Sequence, residues 1–371
     1  MIKILFLIHD LGQGGAEKVL VNLVNNMDPT KFDISVTALF GGGVNEQFLA
    51  PHIRFRAIFP KTIPGNSKLM KLLSPKQLHK ICVKEHYDIE VSYLEGPSAR
   101  VISGCPYRDT MLVSWIHTEF LSQRSFSASF RGQKEALACY HRFHYTACVS
   151  RQVLTRFQAL SGIHKNCSVL YNTVESEKIF QLSQKDPPFS AHSQGLRFLS
   201  IGTLKEVKGF DRLLRIMKRL KDDGYAFHLY LLGKGPLENN LKSMIRDLNI
   251  AQHVSMPGYE VNPYRYIRQC DLLLCSSHTE GFSTAVTEAL ILGTPICTVD
   301  VSGMKEMLGE NNEYGIVTDN SEEALYRGIR KLLDDPQLLQ HYAKQAAMRG
   351  KDFSTMETVH AVESMLEGLI S

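Results

Sequence analysis

Short apolar runs alternate with longer amphipathic segments along most of the chain. The first run, Ile2–Ile8, is continuously apolar, which is typical of a strand buried on both faces of a sheet. A glycine-rich stretch at 10–15 follows it, and residues 16–27 then carry apolar side chains at helical spacing. Strand, turn and helix recur in this order, which predicts parallel sheets covered by helices on both faces.

The same pattern predicts two α/β halves. Apolar, β-branched runs predict further strands at 34–40, 89–93, 111–116, 197–201, 228–232, 271–275, 295–301 and 315–317. Amphipathic segments at 210–222 and 237–249 predict helices between them. A polar stretch at 175–195 has no clear period. We therefore expect an N-terminal domain at 1–174, a linker at 175–195 and a C-terminal domain at 196–341.

Composition excludes several classes of protein. The chain has 371 residues, of which 44% are hydrophobic and 22% charged, so it is expected to be globular rather than disordered. No apolar run reaches the roughly 18 residues of a membrane-spanning helix. The apolar core of the first ten residues is too short for a signal peptide. Eight cysteines without a C-x-x-C pair indicate a reduced, cytoplasmic protein.

Charge is distributed unevenly along the chain. Residues 1–170 carry 20 Lys and Arg against 12 Asp and Glu, whereas residues 171–371 carry 22 against 26. The segment from Lys61 to Lys84 holds six lysines and no acid. It is predicted to lie on an anionic membrane surface, although a solvated helix face covering the core remains an open alternative. Aromatic residues do not interleave with these lysines, so no nucleic-acid binding is expected.

A glycine-rich turn, DLGQGGAE at 10–17, follows the first strand. Glycine lets the backbone approach a ligand closely, and amides at a helix start attract anions. Gly14 and Gly15 are therefore candidate binding residues. The turn does not match G-x-G-x-x-G, and LFGGG at 39–43 lacks the acidic residue that holds an NAD ribose, which disfavours a dinucleotide-binding dehydrogenase.

The most informative stretch is EGFSTAVTE at 280–288, which follows the apolar DLLLCSS. Eight helical positions advance roughly 12 Å and rotate about 80°, so Glu280 and Glu288 are predicted to line one side of a groove. Each carboxylate can accept hydrogen bonds from the hydroxyls of a sugar. Amides at the helix start would face a diphosphate between them; these belong to Gly281, Phe282, Ser283 and Thr284. A solvated glutamate pair on an amphipathic helix is the alternative.

Three further loops follow predicted strands of the second half. In GTLKEVKG at 202–209, Lys208 precedes a helix and offers a point charge to a phosphate. GKG at 233–235 and PGY at 257–259 follow the next strands, and the latter is suited to packing against a base. The candidate binding residues of these loops are Gly202, Thr203, Lys205, Gly233, Gly258 and Tyr259.

Taken together, these stretches resemble bacterial retaining glycosyltransferases of the GT-B fold, family 4. The similarity is carried by GGAEKVLVNLV, SWIHTEF, CVS, LYNTVE, IGTLKEVKGFDRLL, LLGKGP and HTEGFSTAVTEALILGTPICTVDVSGMKEML. It implies two doubly wound Rossmann-like domains facing a central cleft, with a C-terminal helix at 342–371 crossing back to the N-terminal domain. It also implies transfer from a nucleotide diphosphate-sugar, with a UDP-sugar expected, without a metal or other cofactor. The chain contains no Asp-x-Asp, which agrees with metal independence.

The resemblance assigns roles to individual residues. It implies that Glu288 holds the donor ribose, Glu280 the transferred sugar and Lys208 the diphosphate. His117 of SWIHTEF would approach the sugar from the N-terminal domain, although a histidine after an apolar strand is also common as a structural residue. A covalent nucleophile is not assigned, because catalysis would rest on stabilising the departing diphosphate and aligning the acceptor.

Two positions depart from the family pattern. Thr203 stands where the family often has Arg, so the cationic clamp on the diphosphate is incomplete unless Lys205 substitutes. Ser283 stands where Gly is frequent, a small change. The turn at Gly14 and Gly15 would close over the donor phosphates or admit the acceptor.

The resemblance also suggests a place of action. Many relatives extend lipid-linked sugars, so the expected acceptor is a polyprenyl-diphosphate-linked or other saccharide of a bacterial capsule or lipopolysaccharide. The enzyme would then work at the inner face of the plasma membrane. No metal site is expected, since His141-x-x-His144 lacks a third ligand. A nucleotide-sugar epimerase or hydrolase, and a non-catalytic nucleotide-sugar-binding protein, remain alternatives.

Overall fold

The computed structural model describes residues 1–61, 70–185, 189 and 195–370 of the chain. The chain divides into two compact units. The N-terminal unit comprises Met1–Thr173 and Thr355–Ser371, and the C-terminal unit comprises Val174–Ser354. Each unit is a parallel sheet with helices, so the predicted pair of doubly wound Rossmann-like domains is confirmed.

The sheet of the N-terminal unit has the order β3-β2-β1-β4-β5-β6-β7. Every neighbouring pair of its strands is parallel. Its strands are β1 Ile2–Ile8, β2 Phe32–Phe40, β3 Arg54–Phe59, β4 Ile89–Ser92, β5 Met111–Ile116, β6 Tyr145–Cys148 and β7 Cys167–Val169. Successive strands are added on one side of β1 up to β3 and on the other side from β4 onwards. The carboxyl ends of β1 and β4 are therefore the topological switch point of this sheet.

The sheet of the C-terminal unit has the order β10-β9-β8-β11-β12-β13, again parallel throughout. Its strands are β8 Leu196–Ile201, β9 Phe227–Leu232, β10 Val254–Gly258, β11 Leu272–Cys275, β12 Ile296–Val299 and β13 Ile316–Thr318. The switch point of this sheet lies between β8 and β11. Ligands of doubly wound folds bind at such a point, because loops leave it in opposite directions.

Helices cover both sheets. Those of the N-terminal unit are Gly15–Asn26, Pro75–Cys82, Pro97–Ile102, Gln123–Phe126, Gln133–Tyr140, Arg151–Ser161 and Thr355–Ile370. Those of the C-terminal unit are Ser176–Ser183, Phe210–Asp222, Glu238–Asp247, Tyr264–Gln269, Thr284–Leu292, Met304–Leu308, Glu322–Asp334 and Pro336–Arg349. Short 3-10 turns occur at Glu46–Phe48, Glu206–Lys208 and Gly350–Asp352.

The strands that the sequence pattern predicted are present, but four others were not predicted. The edge strand β3 reads RFRAIF, in which two arginines alternate with apolar residues at the start and three positions are exposed. β6 and β7 have four and three residues, too few for a periodic signal. β10 contains a proline and changes register before Gly258. Pairing with longer neighbouring strands supplies the stability that these four sequences lack.

The segment predicted to be a linker, 175–195, includes a helix, Ser176–Ser183. This helix packs on two helices of the C-terminal unit, Tyr264–Gln269 and Thr284–Leu292. The polar residues around this helix concealed it, because its buried positions are few.

The end of the chain returns to the N-terminal unit by the helix Thr355–Ile370. The Asp28 backbone N–H donates to the Glu363 carboxylate at 2.6 Å, and Lys31 pairs with Glu367 at 2.9 Å. The preceding helix, Pro336–Arg349, belongs to the C-terminal unit. The return therefore begins at 355 rather than at the expected residue 342.

The basic segment from Lys61 to Lys84 lies partly outside the described residues, since 62–69 are not described. In its described part, the helix Pro75–Cys82 turns Leu78 and Cys82 into the core of the N-terminal unit and leaves Lys80 exposed. The apolar face of this helix is therefore occupied by the core. Among the described residues, no helix is both long and apolar enough to span a bilayer.

Candidate active site

The switch point of the C-terminal unit brings together two of the predicted site residues. Lys208 follows β8 and Glu280 follows β11, and these two strands are neighbours in the sheet. The Lys208 ammonium forms an ion pair with the Glu280 carboxylate. Two residues 72 positions apart in sequence thus share one small site at the carboxyl edge of the sheet.

Both partners of this ion pair are largely buried, with side-chain exposures of 25% for Lys208 and 12% for Glu280. Burial by itself lowers the pKa of Lys208, but the Glu280 carboxylate outweighs this effect, so the pKa of Lys208 lies above its ordinary value. Lys208 is therefore a permanent cation at neutral pH. Ser277 supports the pair, because its hydroxyl donates to Glu280 Oε1 at 2.7 Å.

A helix begins next to the pair. Thr284–Leu292 starts directly after Ser283, and the first intrahelical bond closes from the Thr287 N–H to the Ser283 carbonyl at 3.1 Å. The amides of the first helical turn have no acceptor within the helix and carry its positive dipole end. This end of the helix is suited to an anionic group.

The ideal helical spacing predicted between Glu280 and Glu288 is wrong, although Glu280 does lie next to the start of the helix. Glu280 lies in the loop four residues before Thr284, because Gly281 and Phe282 form a buried connection into the helix. Gly303, with φ of +80°, lies so close that an added Cβ would be 2.8 Å from the Gly281 carbonyl oxygen. The rise and rotation of an ideal helix therefore do not relate Glu280 to Glu288.

Glu288 occupies the middle of this helix and is 3% exposed. A carboxylate at such a depth needs hydrogen-bond partners or a ligand to compensate for its lost hydration. Glu280 and the helix start thus lie in the connection after β11, Lys208 reaches Glu280 from the neighbouring connection after β8, and Glu288 lies deeper in the helix.

The loops after β8, β9 and β10 lie side by side along the same edge. The Gly233 N–H donates to the Gly258 carbonyl at 2.8 Å, and the Gly202 N–H donates to the Leu232 carbonyl at 3.0 Å. An added Cβ at Gly233 would overlap the Gly202 carbonyl oxygen, so this close approach requires glycine. An added Cβ at Gly202 would lie 3.4 Å from Lys208 Cε, so the lysine side chain lies across this glycine.

The remaining predicted residues of this edge differ in exposure. Thr203 and Tyr259 are half-buried, whereas Lys205 is exposed at the start of the 3-10 turn Glu206–Lys208. Lys234 is also exposed, and its Cε lies 3.6 Å from where a Gly258 Cβ would be. Sequence analysis overlooked Lys234, although its position between two glycines was a usable signal.

His117 lies at the carboxyl edge of the other sheet, directly after β5. Its imidazole is 8% exposed and lies against Tyr93, with ring centroids 4.8 Å apart. Burial lowers the pKa of His117 to about 3, so the ring is neutral at physiological pH. Its Nε2 is buried and has no hydrogen-bond partner among the residues that the structure describes.

Glu95 is a neighbour of His117 that sequence analysis did not select. It follows β4, and its Oε2 accepts a hydrogen bond from the His117 backbone N–H at 2.9 Å. Burial raises the pKa of Glu95. Its position after a strand at the switch point was the signal that could have identified it.

The turn at Gly14 and Gly15 leads into the helix Gly15–Asn26, with Gly14 at the N-cap position. Two carboxylates border this turn. Asp10 accepts from the Gly12 N–H at 2.8 Å, and the Glu17 carboxylate occupies the space that a Gly14 Cβ would need. Negative charge at both ends of the turn disfavours an anionic ligand there.

Within the described residues, one group of side chains has the composition of a metal site. His79, Glu90 and Cys105 place one ligand atom each within 4.8 Å of one another, and all three residues are buried. His79 Nε2 and Glu90 Oε2 already share a hydrogen bond of 2.8 Å, and the Cys105 thiol donates to Glu90 Oε1 at 3.6 Å. These hydrogen bonds satisfy the group without an ion.

Two family models match the chain in succession. Residues 13–178 match the model described as Glycosyltransferase Family 4, and residues 184–349 match Glycosyl transferases group 1. A Campylobacter jejuni protein is 27% identical over 377 residues, covering 96% of this chain and 97% of its own length. That relative is N-acetylgalactosamine-N,N'-diacetylbacillosaminyl-diphospho-undecaprenol 4-alpha-N-acetylgalactosaminyltransferase.

Solved structures with the same fold cover nearly the whole chain. HepE of Anabaena in complex with UDP-glucose superimposes with a TM-score of 0.77 at 18% identity, covering 99% of this chain and 100% of that one. The lipopolysaccharide outer core galactosyltransferase WaaB superimposes with a TM-score of 0.68 at 18% identity, covering 99% of each chain.

Proposed function

Because the chain belongs to family 4 of the GT-B glycosyltransferases, we propose that it transfers a sugar from a UDP-sugar to a lipid-linked saccharide with retention of anomeric configuration. The observation that carries the proposal is the Lys208–Glu280 ion pair beside the first turn of the helix Thr284–Leu292. A cation, a carboxylate and free helix amides at one switch point match the phosphate and hydroxyl groups of a nucleotide sugar.

The donor occupies the C-terminal unit in this proposal. Lys208 and the amides at the helix start bind the diphosphate, Glu280 accepts hydrogen bonds from the transferred sugar, and Glu288 accepts them from the ribose. The bond between the anomeric carbon and the phosphate oxygen breaks, and negative charge grows on the departing UDP. Fixed positive groups at that oxygen stabilise the charge without reorganisation, which is the main source of rate acceleration.

Lys208 exchanges partners when the donor binds. Without a ligand, its charge is balanced by Glu280. A diphosphate carries more negative charge than one carboxylate, so it competes for the ammonium and leaves Glu280 to accept from sugar hydroxyls. The separated pair thereby presents a hydrogen-bond donor to the diphosphate and a hydrogen-bond acceptor to the sugar.

The second cation of the diphosphate site is proposed to come from the exposed lysines of the same edge. Thr203 offers no charge, whereas Lys205 and Lys234 follow β8 and β9 and have flexible side chains. The transfer is proposed to need no metal ion, since cationic side chains and helix amides supply the positive charge.

The acceptor is proposed to be a sugar attached to a polyprenyl diphosphate or to a growing polysaccharide. The Campylobacter jejuni relative is named for an undecaprenol-linked acceptor. A shorter match, 26% identical over 156 residues, is the poly(ribitol-phosphate) alpha-N-acetylglucosaminyltransferase of Staphylococcus aureus. Transfer of a hexose or an N-acetylhexosamine, capsule or lipopolysaccharide synthesis, and peripheral attachment to an anionic membrane form part of this proposal.

In the N-terminal unit, His117 is proposed to bind a substrate hydroxyl through its Nε2, which has no hydrogen-bond partner in the described part of the chain. A neutral imidazole can donate or accept this hydrogen bond but is too weak an acid to protonate a leaving group at neutral pH. The turn at Gly14 and Gly15, bordered by carboxylates, is proposed to admit the acceptor.

The test is a transfer assay with UDP-, GDP- and dTDP-sugars and polyprenyl-diphosphate-linked acceptors, with products identified by mass spectrometry. Lys208→Ala and Glu288→Ala are expected to lower kcat/KM for the donor at least tenfold, because each removes a charged hydrogen-bonding group worth about 1.5–3 kcal/mol. Lys218→Ala and Glu323→Ala remove exposed charges of the same unit and serve as matched controls.

Unchanged turnover in both site variants would contradict the assignment of the site. Free sugar or an epimerised nucleotide sugar, formed without acceptor, would support a hydrolase or epimerase instead. Saturable binding of UDP-sugar with no loss of donor over long incubation would support a non-catalytic binding protein. The anomeric configuration of the product, read by NMR, tests retention.

A further inference from the structure

A buried arginine underlies the Lys208–Glu280 pair. Arg212 is the third residue of the helix Phe210–Asp222 and is 4% exposed. Its Nε donates to the Ser276 carbonyl and its Nη2 to the Ser277 carbonyl, both at 2.8 Å. The guanidinium thus holds two successive carbonyls at the point where the chain leaves β11.

The two serines continue the connection to the site in opposite directions. The Ser276 hydroxyl donates to the Lys208 carbonyl at 3.0 Å, and the Ser277 hydroxyl donates to the Glu280 carboxylate at 2.7 Å. A further backbone bond joins the His278 N–H to the Val207 carbonyl at 2.7 Å. Arg212 therefore supports the backbone that carries the cation and the side chain that fixes the carboxylate.

The two loops also approach each other too closely for an ordinary residue. Gly209, at φ of +59°, precedes the helix that carries Arg212, and an added Cβ there would overlap the Ser276 carbonyl oxygen. The side chain of Arg212 lies beside the same glycine, with Nε 3.0 Å from the position of that Cβ. Glycine allows the contact, and the guanidinium supplies its hydrogen bonds.

Arg212 donates to two backbone carbonyls, and none of its hydrogen bonds within the described part of the chain goes to a carboxylate. Burial lowers the pKa of Arg212, but an arginine keeps its charge under all conditions of interest. A buried charge is retained at a cost in stability, since removal from water is unfavourable. The planar guanidinium of arginine can donate to two adjacent carbonyls at once in a fixed geometry, which the ammonium of lysine does not provide.

We propose that Arg212 is a positioning residue for donor binding, which sets the separation and orientation of Lys208 and Glu280 through Ser276 and Ser277. The inference rests on the proposed function, because it assumes that these two residues bind the donor. It extends that function by assigning the alignment of the site to a residue that touches neither phosphate nor sugar.

The test compares UDP affinity, donor KM and kcat in two full-length variants that alter the proposed alignment and in two control variants. Arg212→Lys keeps the charge and loses the fork, and is expected to weaken UDP binding about tenfold, since small misplacements of binding groups have effects of this size or larger. Ser277→Ala removes only the hydrogen bond to Glu280. It is expected to raise the donor KM several-fold with little change in UDP affinity, because Glu280 is assigned to the sugar.

Matched controls separate positioning from folding. Ser200→Ala removes a buried hydroxyl of β8 that donates to the Leu274 carbonyl of β11 at 2.8 Å, and it is expected to leave UDP affinity unchanged. Arg215→Lys alters an exposed arginine on the same helix, whose partners are Asp211 and Glu322. Thermal unfolding of every variant shows whether a change in affinity accompanies a loss of fold.

A double-mutant cycle gives the decisive result. Placed on Lys208→Ala, Arg212→Lys is expected to weaken UDP binding less than twofold, because the residue that it positions is already absent. A tenfold loss in both backgrounds, or full UDP affinity in Arg212→Lys, would overturn the proposal. If the unaltered protein binds no nucleotide, the proposed function itself fails, and the two failures are thereby distinguished.

Discussion

Acid is expected to destabilise the N-terminal unit through His117. Burial lowers the pKa of this imidazole from 6.5 to about 3, so the folded state stays unprotonated where the unfolded chain takes up a proton. A depressed histidine pKa makes stability fall as pH decreases from the unfolded value towards the folded one. One pKa unit corresponds to about 1.4 kcal/mol, so moving from pH 7 to pH 5 should remove about 2 kcal/mol.

The chain provides its own probe for this measurement. Trp115 is its single tryptophan, is 2% exposed, and lies 6.2 Å from the His117 ring in the N-terminal unit. Urea unfolding followed by tryptophan fluorescence at pH 7 and pH 5 therefore reports the stability of this unit. The comparison is made with His117→Gln, which cannot titrate, and with His86→Gln, which removes an exposed histidine of the same unit.

The expected result is a difference between variants. The unaltered protein and His86→Gln should lose about 2 kcal/mol more than His117→Gln between pH 7 and pH 5. Equal losses in all three proteins would refute a buried, neutral His117. The proposed role of this residue as a neutral hydrogen-bonding group would then also lose its basis.

Three further substitutions test other parts of the structure. Thr203→Arg adds a positive charge in the loop that carries Lys208 and should tighten UDP binding roughly tenfold by calorimetry; unchanged affinity would mean that this position does not face the diphosphate. Gly209→Ala should cost more than the roughly 1–2 kcal/mol of left-handed strain, whereas Gly224→Ala, at φ of +85° with open space around it, should cost only that strain. Equal thermal unfolding midpoints for Gly209→Ala and Gly224→Ala would contradict the close contact at Gly209. Glu90→Ala breaks the buried pair with His79 and should cost about 3 kcal/mol in urea unfolding, and a loss below about 1 kcal/mol would show that the pair contributes little.

Much of the architecture follows from periodicity. The apolar run of β1 and the helix after it need no knowledge of their neighbours, because a strand buried on both faces and an amphipathic helix carry distinct patterns. β6 and β7 were missed because three or four residues hold no period, and their stability comes from pairing in the sheet. The helix Ser176–Ser183 was missed for a related reason, since its few buried positions gave little signal.

The candidate site was also predicted only in part from the sequence. The residues of the loops after β8 and β11 were predicted from their glycines, their charges and their place after strands. The ion pair between Lys208 and Glu280 was not predicted, because it depends on the adjacency of β8 and β11 in the sheet. Arg212 was overlooked because an arginine in an amphipathic helix is expected to be solvated, and its burial is known only from the structure.

The sequence by itself determined the type of fold, most of its strands and helices, and the glycine-bearing turns that follow β8 and β9. It could do so because these properties depend on residues a few positions apart. Only the tertiary structure decided which charged residues form ion pairs, that Glu280 lies in the loop before the helix, and that His117 is buried away from water. Those outcomes depend on strand order and burial, and contacts between residues far apart in the chain determine both.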